Sequence, residues 1–164
     1  MKYRMKFMQS IVLTVFLLVF GTNGAWASVS QASVKPLSPD AGKASVYEIT
    51  FSLSDPFPSA GTVVLEFPAD FDLSQAILAG SPNVNGGFKV FVDGQKLIVR
   101  RSGLGQAVPA GKGIVIRVAN IQNPKTAGQY SLSVRIMVGK KMLGERNSVS
   151  FSIQPKRKQA KPIR

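Results

Sequence analysis

The stretch Val46–Leu53, VYEITFSL, alternates strictly: Tyr47, Ile49, Phe51 and Leu53 share one parity, and Glu48, Thr50 and Ser52 share the other. Period two over eight residues describes a strand with one face buried and one solvated. Working outward, Val63, Leu65 and Phe67 repeat the pattern until Pro68 ends it, and Ile114, Ile116 and Val118 repeat it with Arg117 on the opposite parity. Tyr130, Leu132, Val134, Ile136 and Val138 make the longest alternating run, after which Gly139-Lys140-Lys141 turns the chain toward Met142 and Leu143. Val149, Phe151 and Ile153 supply a last strand, and Val29–Val34 a first one. FKVFV (88–92) and KLIV (96–99) flank Asp93-Gly94-Gln95, a hairpin signal because Asp-Gly tolerates the positive φ of tight turns.

Between these runs lie turn residues: Ser38-Pro39-Asp40-Ala41-Gly42, Asp55-Pro56-Phe57-Pro58, Gly80-Ser81-Pro82 and Pro109-Ala110-Gly111. Helical periodicity is absent beyond the start of the chain, apart from one short turn expected at Leu73–Leu78. Seven to nine short strands with frequent turns predict an all-β antiparallel sandwich or barrel. Without a ligand-cavity signature the sandwich is the better reading.

Lys2, Arg4 and Lys6 precede ten residues, Ile11–Phe20 (IVLTVFLLVF), then Gly21–Gly24 and Ala25-Trp26-Ala27. A basic start, a short apolar run and small residues before a cut site predict a secretory signal peptide over 1–27. Ten helical residues reach only about 15 Å, against roughly 30 Å of membrane hydrocarbon, although an uncleaved anchor is the alternative. The expected location is outside the cytoplasm, extracellular or in the cell envelope. The expected organisation is then signal peptide 1–27, sandwich domain 28–154 and a basic tail 155–164.

The 164 residues contain no Cys and no His. Disulfides, thiol nucleophiles, thiolate metal sites, lipid attachment at a cysteine and His-based catalysis are thereby excluded. Gly42-Lys43, Gly111-Lys112 and Gly139-Lys140 do not sit in a phosphate-loop pattern, and no Ser occupies a Gly-x-Ser-x-Gly elbow. No enzyme activity and no cofactor are expected. Asp70 and Asp72 in PADFD are the one acidic pair to weigh. Two such acids would supply part of the six to eight oxygens Ca²⁺ takes, or would hold a turn and cap Leu73-Ser74-Gln75; a small hydrolase using either acid is a third possibility. Trp26 lies in the signal peptide, and Tyr47 and Tyr130 are in phase with core residues. Only Phe57 reads as an exposed aromatic, so neither a sugar-stacking platform nor single-strand nucleic-acid stacking is expected.

The net charge of +13 is unevenly spread. The signal carries +3, residues 28–93 carry −4, residues 94–154 carry +9, and the tail PKRKQAKPIR carries +5. Lys156, Arg157, Lys158, Lys161 and Arg164 are candidate contacts for an anionic envelope polymer, the alternative being a solubilising end without a partner. Arg100, Arg101, Arg117 and Arg135 are candidates for a basic face, or for ordinary outward charge that keeps sheets from sticking.

Pro39-Asp40-Ala41-Gly42, Gly61–Pro68 (GTVVLEFP) leading into Phe71, Pro109-Ala110-Gly111, Val118–Pro124 (VANIQNP) and Ala127-Gly128-Gln129-Tyr130 follow one another in an order that resembles immunoglobulin-like β-sandwich modules of secreted and cell-surface proteins of bacteria and archaea. The resemblance covers about Val34–Ile153. Its motifs are turn and core residues, so it speaks to fold and not to ligand. Together with the charge distribution, the expected function is a non-enzymatic interaction or structural module whose partner is a protein or an anionic envelope polymer such as lipopolysaccharide, with polyanion or glycan binding through the basic second half and tail as the alternative. Such modules often occur in tandem, whereas this chain carries one copy. Asn123, Pro124, Gly128 and Tyr130 read as structural. Asn123 before Pro124 is pushed toward extended backbone, and Gly128 lets the chain re-enter the sheet. Tyr130 then opens a strand as the tyrosine of a corner, its ring inward and its hydroxyl on nearby backbone.

Overall fold

The alternating stretches become nine strands in the computed structural model, which describes residues 29–157: β1 (Val29–Pro36), β2 (Ala44–Leu53), β3 (Thr62–Glu66), β4 (Ile77–Gly80), β5 (Phe88–Asp93), β6 (Lys96–Arg101), β7 (Ile114–Gln122), β8 (Gly128–Val138) and β9 (Lys141–Ile153). They form two antiparallel sheets, β1-β2-β7-β4 and β5-β6-β3-β8-β9, facing each other as a sandwich. The expected signal peptide, and Lys158, Lys161 and Arg164 of the tail, lie outside the described residues. Among the described residues no helix is long and apolar enough to cross a membrane.

The parity read from the sequence sets what is buried. Tyr47, Ile49, Phe51 and Leu53 of β2, Ile114, Ile116 and Val118 of β7, Val63 and Leu65 of β3, Leu97 and Val99 of β6, and Leu132, Val134 and Ile136 of β8 all point inward. Each contributes about 1.5–3 kcal/mol of transfer free energy by leaving water, and this packing replaces the disulfides the chain lacks.

Two interruptions of the pattern have a common cause. Ile121 is buried although it lies three residues after Val118, because two residues of β7, Ala119 and Asn120, lie across from one of β2. Asn120 carries the bulge at φ 61°, a region Asn tolerates better than most side chains. In β9 the register also slips, and Ser148 adopts φ 58°. The bulge joins Met142–Leu143 to Val149–Ile153, which the sequence pattern separates, into one long strand.

Two local expectations shift. The turn expected over Leu73–Leu78 is confined to its first half, where the Ala76 N–H donates to the Leu73 carbonyl at 2.9 Å; β4 follows at once and pairs with β7. With four residues ending in Gly80, that strand has too little alternation to be read. In the β5–β6 hairpin Asp93 is the last strand residue, facing Lys96, and Gly94-Gln95 is the turn, Gly94 taking φ 55°.

Candidate functional site

The two ends of the sandwich are closed by different chemistry. At the end where β2 and β6 finish, the loops 54–61, 81–87 and 102–113 meet on Arg101, which is only 2% exposed. Its parity on β6 matches that of Leu97 and Val99, so the side chain enters the sandwich instead of joining an outer basic face. Nη1 donates to the carbonyls of Phe57 (2.9 Å) and Pro58 (2.7 Å). Nη2 donates to those of Asn85 (3.2 Å) and Gln106 (2.7 Å). One planar fork of donors therefore ties four loop carbonyls together: those of Asn85 and Gln106 are bonded by Arg101 alone, while those of Phe57 and Pro58 also accept from the Val108 and Gly61 N–H groups. Burial pushes the guanidinium down from its ordinary value, and Arg101 remains a cation because no protein environment reaches its deprotonation.

Phe57, expected as an exposed ring, is instead fully buried beneath that cation: the Arg101 Cζ stands 5.2 Å from the ring centroid, and the ring packs edge-on against Phe51 at 5.8 Å. The Gly61 N–H donates to the Pro58 carbonyl at 2.9 Å, closing a turn directly after the ring. The Phe57 backbone pairs with Val108 in both directions at 2.9 Å. Gly61 is required here, because a Cβ at that position would run into the Phe57 ring.

Side-chain amides complete the loops. Asn83 donates to the Gly113 carbonyl at 2.6 Å and accepts from the Val115 N–H at 3.0 Å. Ser81 donates to the Val115 carbonyl at 2.5 Å, and Asn85 accepts from the Gln106 N–H at 3.0 Å. Between the loops opens a cleft of about 600 Å³ whose polar lining includes Asn83, Asn85, Gln106 and Lys112, and whose walls contain no carboxylate. With Asn83 bonded to Gly113 and Val115, and the Asn85 oxygen bonded to the Gln106 N–H, the cleft leaves the Asn85 amino group, the Gln106 side chain and the Lys112 cation to meet a polar, neutral or anionic ligand.

The opposite end is held by an amide. Asn123, buried, accepts from the Tyr47 hydroxyl at 2.5 Å and donates to the carbonyls of Ser38 (2.8 Å) and Asp40 (2.9 Å). Burial pushes the Tyr47 phenol up, so it acts as a donor across the physiological range. Its ring lies edge-on to Phe67, Phe71 and Phe151. Tyr130, half-buried at the start of β8, packs edge-on against Phe71 at 5.3 Å and donates its hydroxyl to the Thr126 carbonyl at 2.9 Å. The Pro124 carbonyl accepts from the Gly42 N–H at 2.8 Å, and Gly128 pairs with Ile153.

Asp40 is buried beside this amide and carries two cations, Lys43 at 2.9 Å and Arg157 at 3.2 Å. The Lys43 hydrogen bond, with Arg157 behind it, holds the carboxyl below its ordinary value against burial, which pushes it up. Arg157 is thus engaged with the domain, while Lys156 is exposed. Of the other basic candidates, Arg117 pairs with Glu48 and Arg135 with Glu145, each at 2.8 Å or less. Arg100 stacks over Phe91, 5.4 Å from its centroid. Asp72 accepts from the Ser74 N–H at 2.9 Å, a contact that holds its carboxyl below its ordinary value, which is the behaviour of a turn and cap residue. Asp70 is exposed. Among the described residues no group of three or more acidic side chains gathers in a metal-binding arrangement.

No family model matches the chain. No curated protein matches it. Among solved structures it is similar to BslA, a bacterial hydrophobin (16% identity over 79% of this chain and 99% of that one, TM-score 0.45). It is also similar to ChBD3 from Thermococcus kodakarensis KOD1 (11% identity, 75% and 100%, TM-score 0.40). A third is the seventh ScaB type I cohesin from Pseudobacteroides cellulosolvens (15% identity, 85% and 99%, TM-score 0.45). At such identities and scores no ligand or partner passes from those proteins to this chain.

Proposed function

We propose that the chain is an exported, non-enzymatic interaction module of immunoglobulin type whose contact surface is the loop end organised by Arg101. The observation that carries this reading is the polar cleft between loops 81–87 and 102–113, fixed by a buried cation bonded to four carbonyls. Loops held in one arrangement spend little conformational freedom on binding, which is how a rigid sandwich makes an affinity surface from irregular chain. Export rests on the basic and apolar pattern of residues 1–27. The immunoglobulin reading is supported by strand order. Setting aside the β5–β6 hairpin, the sheets run β1-β2-β7-β4 and β3-β8-β9, which is the order ABED against CFG, and Tyr130 stands at the start of the strand equivalent to F.

The test is retention on the native cell envelope. Lys112→Glu with Gln106→Ala changes the cleft without touching the Arg101 fork, and it is expected to reduce retention at least tenfold while leaving the melting temperature unchanged. Unchanged retention would remove the loop end as the contact surface.

A second reading, polyanion binding, is favoured by the ten basic residues against Glu145 alone in 94–154 and by the exposed Lys156. On that reading retention vanishes with added salt and on truncation after Arg157, which removes Lys158, Lys161 and Arg164 while keeping the Asp40 ion pair.

A further inference from the structure

The sandwich has four edge strands, and three of them are irregular. The β4 and β9 ladders are interrupted by register shifts, and β1 shifts at Val29/Gln31 and ends its regular run on Pro36, which has no N–H to give a partner; such features stop an edge from pairing with another chain. The β5 ladder runs from Phe88 to Asp93 against β6 without a register shift. β5 also carries two of the exposed large apolar side chains, Phe91 at 43% and Val92 at 41%, and Ile77 on the neighbouring edge strand β4 is 55% exposed. Among the described residues, neither Lys89 nor Asp93 has an ion-pair partner.

The order of residues on this edge is self-complementary. Lys89-Val90-Phe91-Val92-Asp93 reads basic, Val, Phe, Val, acidic. We propose that β5 pairs antiparallel with β5 of a second copy of this chain about a two-fold axis at Phe91. That register sets Lys89 opposite the other copy's Asp93, Val90 opposite Val92 and Phe91 opposite Phe91, then repeats the first two pairs in reverse. Lys89, Phe91 and Asp93 occupy one face, and both valines the other, so the pleats of the two strands agree.

The backbone supports the same register. A two-residue turn closed by Asp93 and Lys96 makes that pair hydrogen-bonded. Alternation then aims the N–H and C=O groups of Val90 and Val92 away from β6. In the register centred on Phe91 these are the groups that bond across the two-fold. Phe91 falls at a non-hydrogen-bonded pair, where Cα atoms approach to about 4.5 Å and side chains are closest. Arg100, already over the ring, covers it from each copy. The contact is isologous, so it closes at two copies and joins two five-stranded sheets into one of ten strands. A register one residue away would set Lys89 against Val92 and Phe88 against Asp93, losing both ion pairs.

The absence of native cysteine gives a direct test. Phe91→Cys in the full chain, purified in the form its host accumulates and oxidised with copper–phenanthroline, is expected to cross-link to a dimer, since the two Cα atoms would lie within disulfide range. Leu104→Cys, 70% exposed on the loop after β6, serves as the off-edge control and should not cross-link, although it keeps the β5 pairing. In sedimentation equilibrium without cross-linker, Lys89→Asp and Asp93→Lys are each expected to weaken the wild-type dimer by roughly tenfold or more, through like charges set opposite each other. The combined charge swap is expected to restore it. Cross-linking at Phe91→Cys no faster than at Leu104→Cys, a monomeric wild type, or a double swap no tighter than either single change would each overturn the proposal.

Discussion

The two ends of the sandwich face the same problem, loop carbonyls buried beyond the reach of the ladders, and they solve it with different groups. At one end a single cation, Arg101, donates to four carbonyls from three loops. At the other a neutral amide, Asn123, donates to two carbonyls and receives one hydroxyl, while the nearby buried charge, Asp40, is matched by two cations. The cation end is centred on one residue and leaves a cleft between its loops; the amide end is stacked with aromatic rings. A fork of fixed donors spans a gap that a compact amide cannot, so an open loop end and a guanidinium belong together.

The contrast breaks most strongly at Arg101. Arg101→Met keeps apolar volume but removes all four bonds of the fork, leaving the Asn85 and Gln106 carbonyls without a protein donor and those of Phe57 and Pro58 with one each, and a loss of about 3–5 kcal/mol is expected, read as unfolding free energy in urea. Asn123→Ala should cost about 2–3 kcal/mol. Tyr47→Phe should cost about 1–2 kcal/mol, with strong coupling between the two in a double-mutant cycle because they share one hydrogen bond. Tyr130→Phe, which loses only the Thr126 contact, should cost about 0.5–1.5 kcal/mol; an unchanged melting temperature would deny Tyr130 the role of a corner residue.

The smallest effect sharpens the comparison through pH. The Asp40 carboxyl is held below its ordinary value, so its contribution is fully present above about pH 4 and is lost as pH falls through its folded value. Asp40→Asn should therefore be less stable than wild type near neutrality and converge with it in acid. Arg101 does not titrate in that range, so Arg101→Met should show the same deficit at both pH values.

The sheets were legible because period two survives in residues such as Tyr47–Leu53 and Leu132–Ile136, where burial and parity coincide. The bulges at Asn120 and Ser148 were not, because one inserted residue moves the pattern to the other parity without changing composition. Phe57 could not be placed, since a ring between two prolines has no alternation to report which way it faces. Arg101 could have been: in Leu97-Ile98-Val99-Arg100-Arg101 it shares parity with the two buried residues, and charge alone argued for the surface. Asp72 was readable as a cap from its position before Ser74. The Asp40–Arg157 pair, 117 positions apart, leaves no local trace.

Hydrogen exchange tests most directly whether Arg101 preorganises the loop end. The amides of Gly103, Gln106 and Val108, bonded respectively to the Ser59 carbonyl, the Asn85 side chain and the Phe57 carbonyl, report on three separate loop contacts. In wild type all three should be protected well above the rates of open chain. In Arg101→Met they should lose protection together, while the Asn123 amide at the far end keeps its protection relative to global unfolding. If the three amides exchange freely in wild type, or keep separate protections when the guanidinium is gone, the loops are not organised by Arg101 and the account is contradicted.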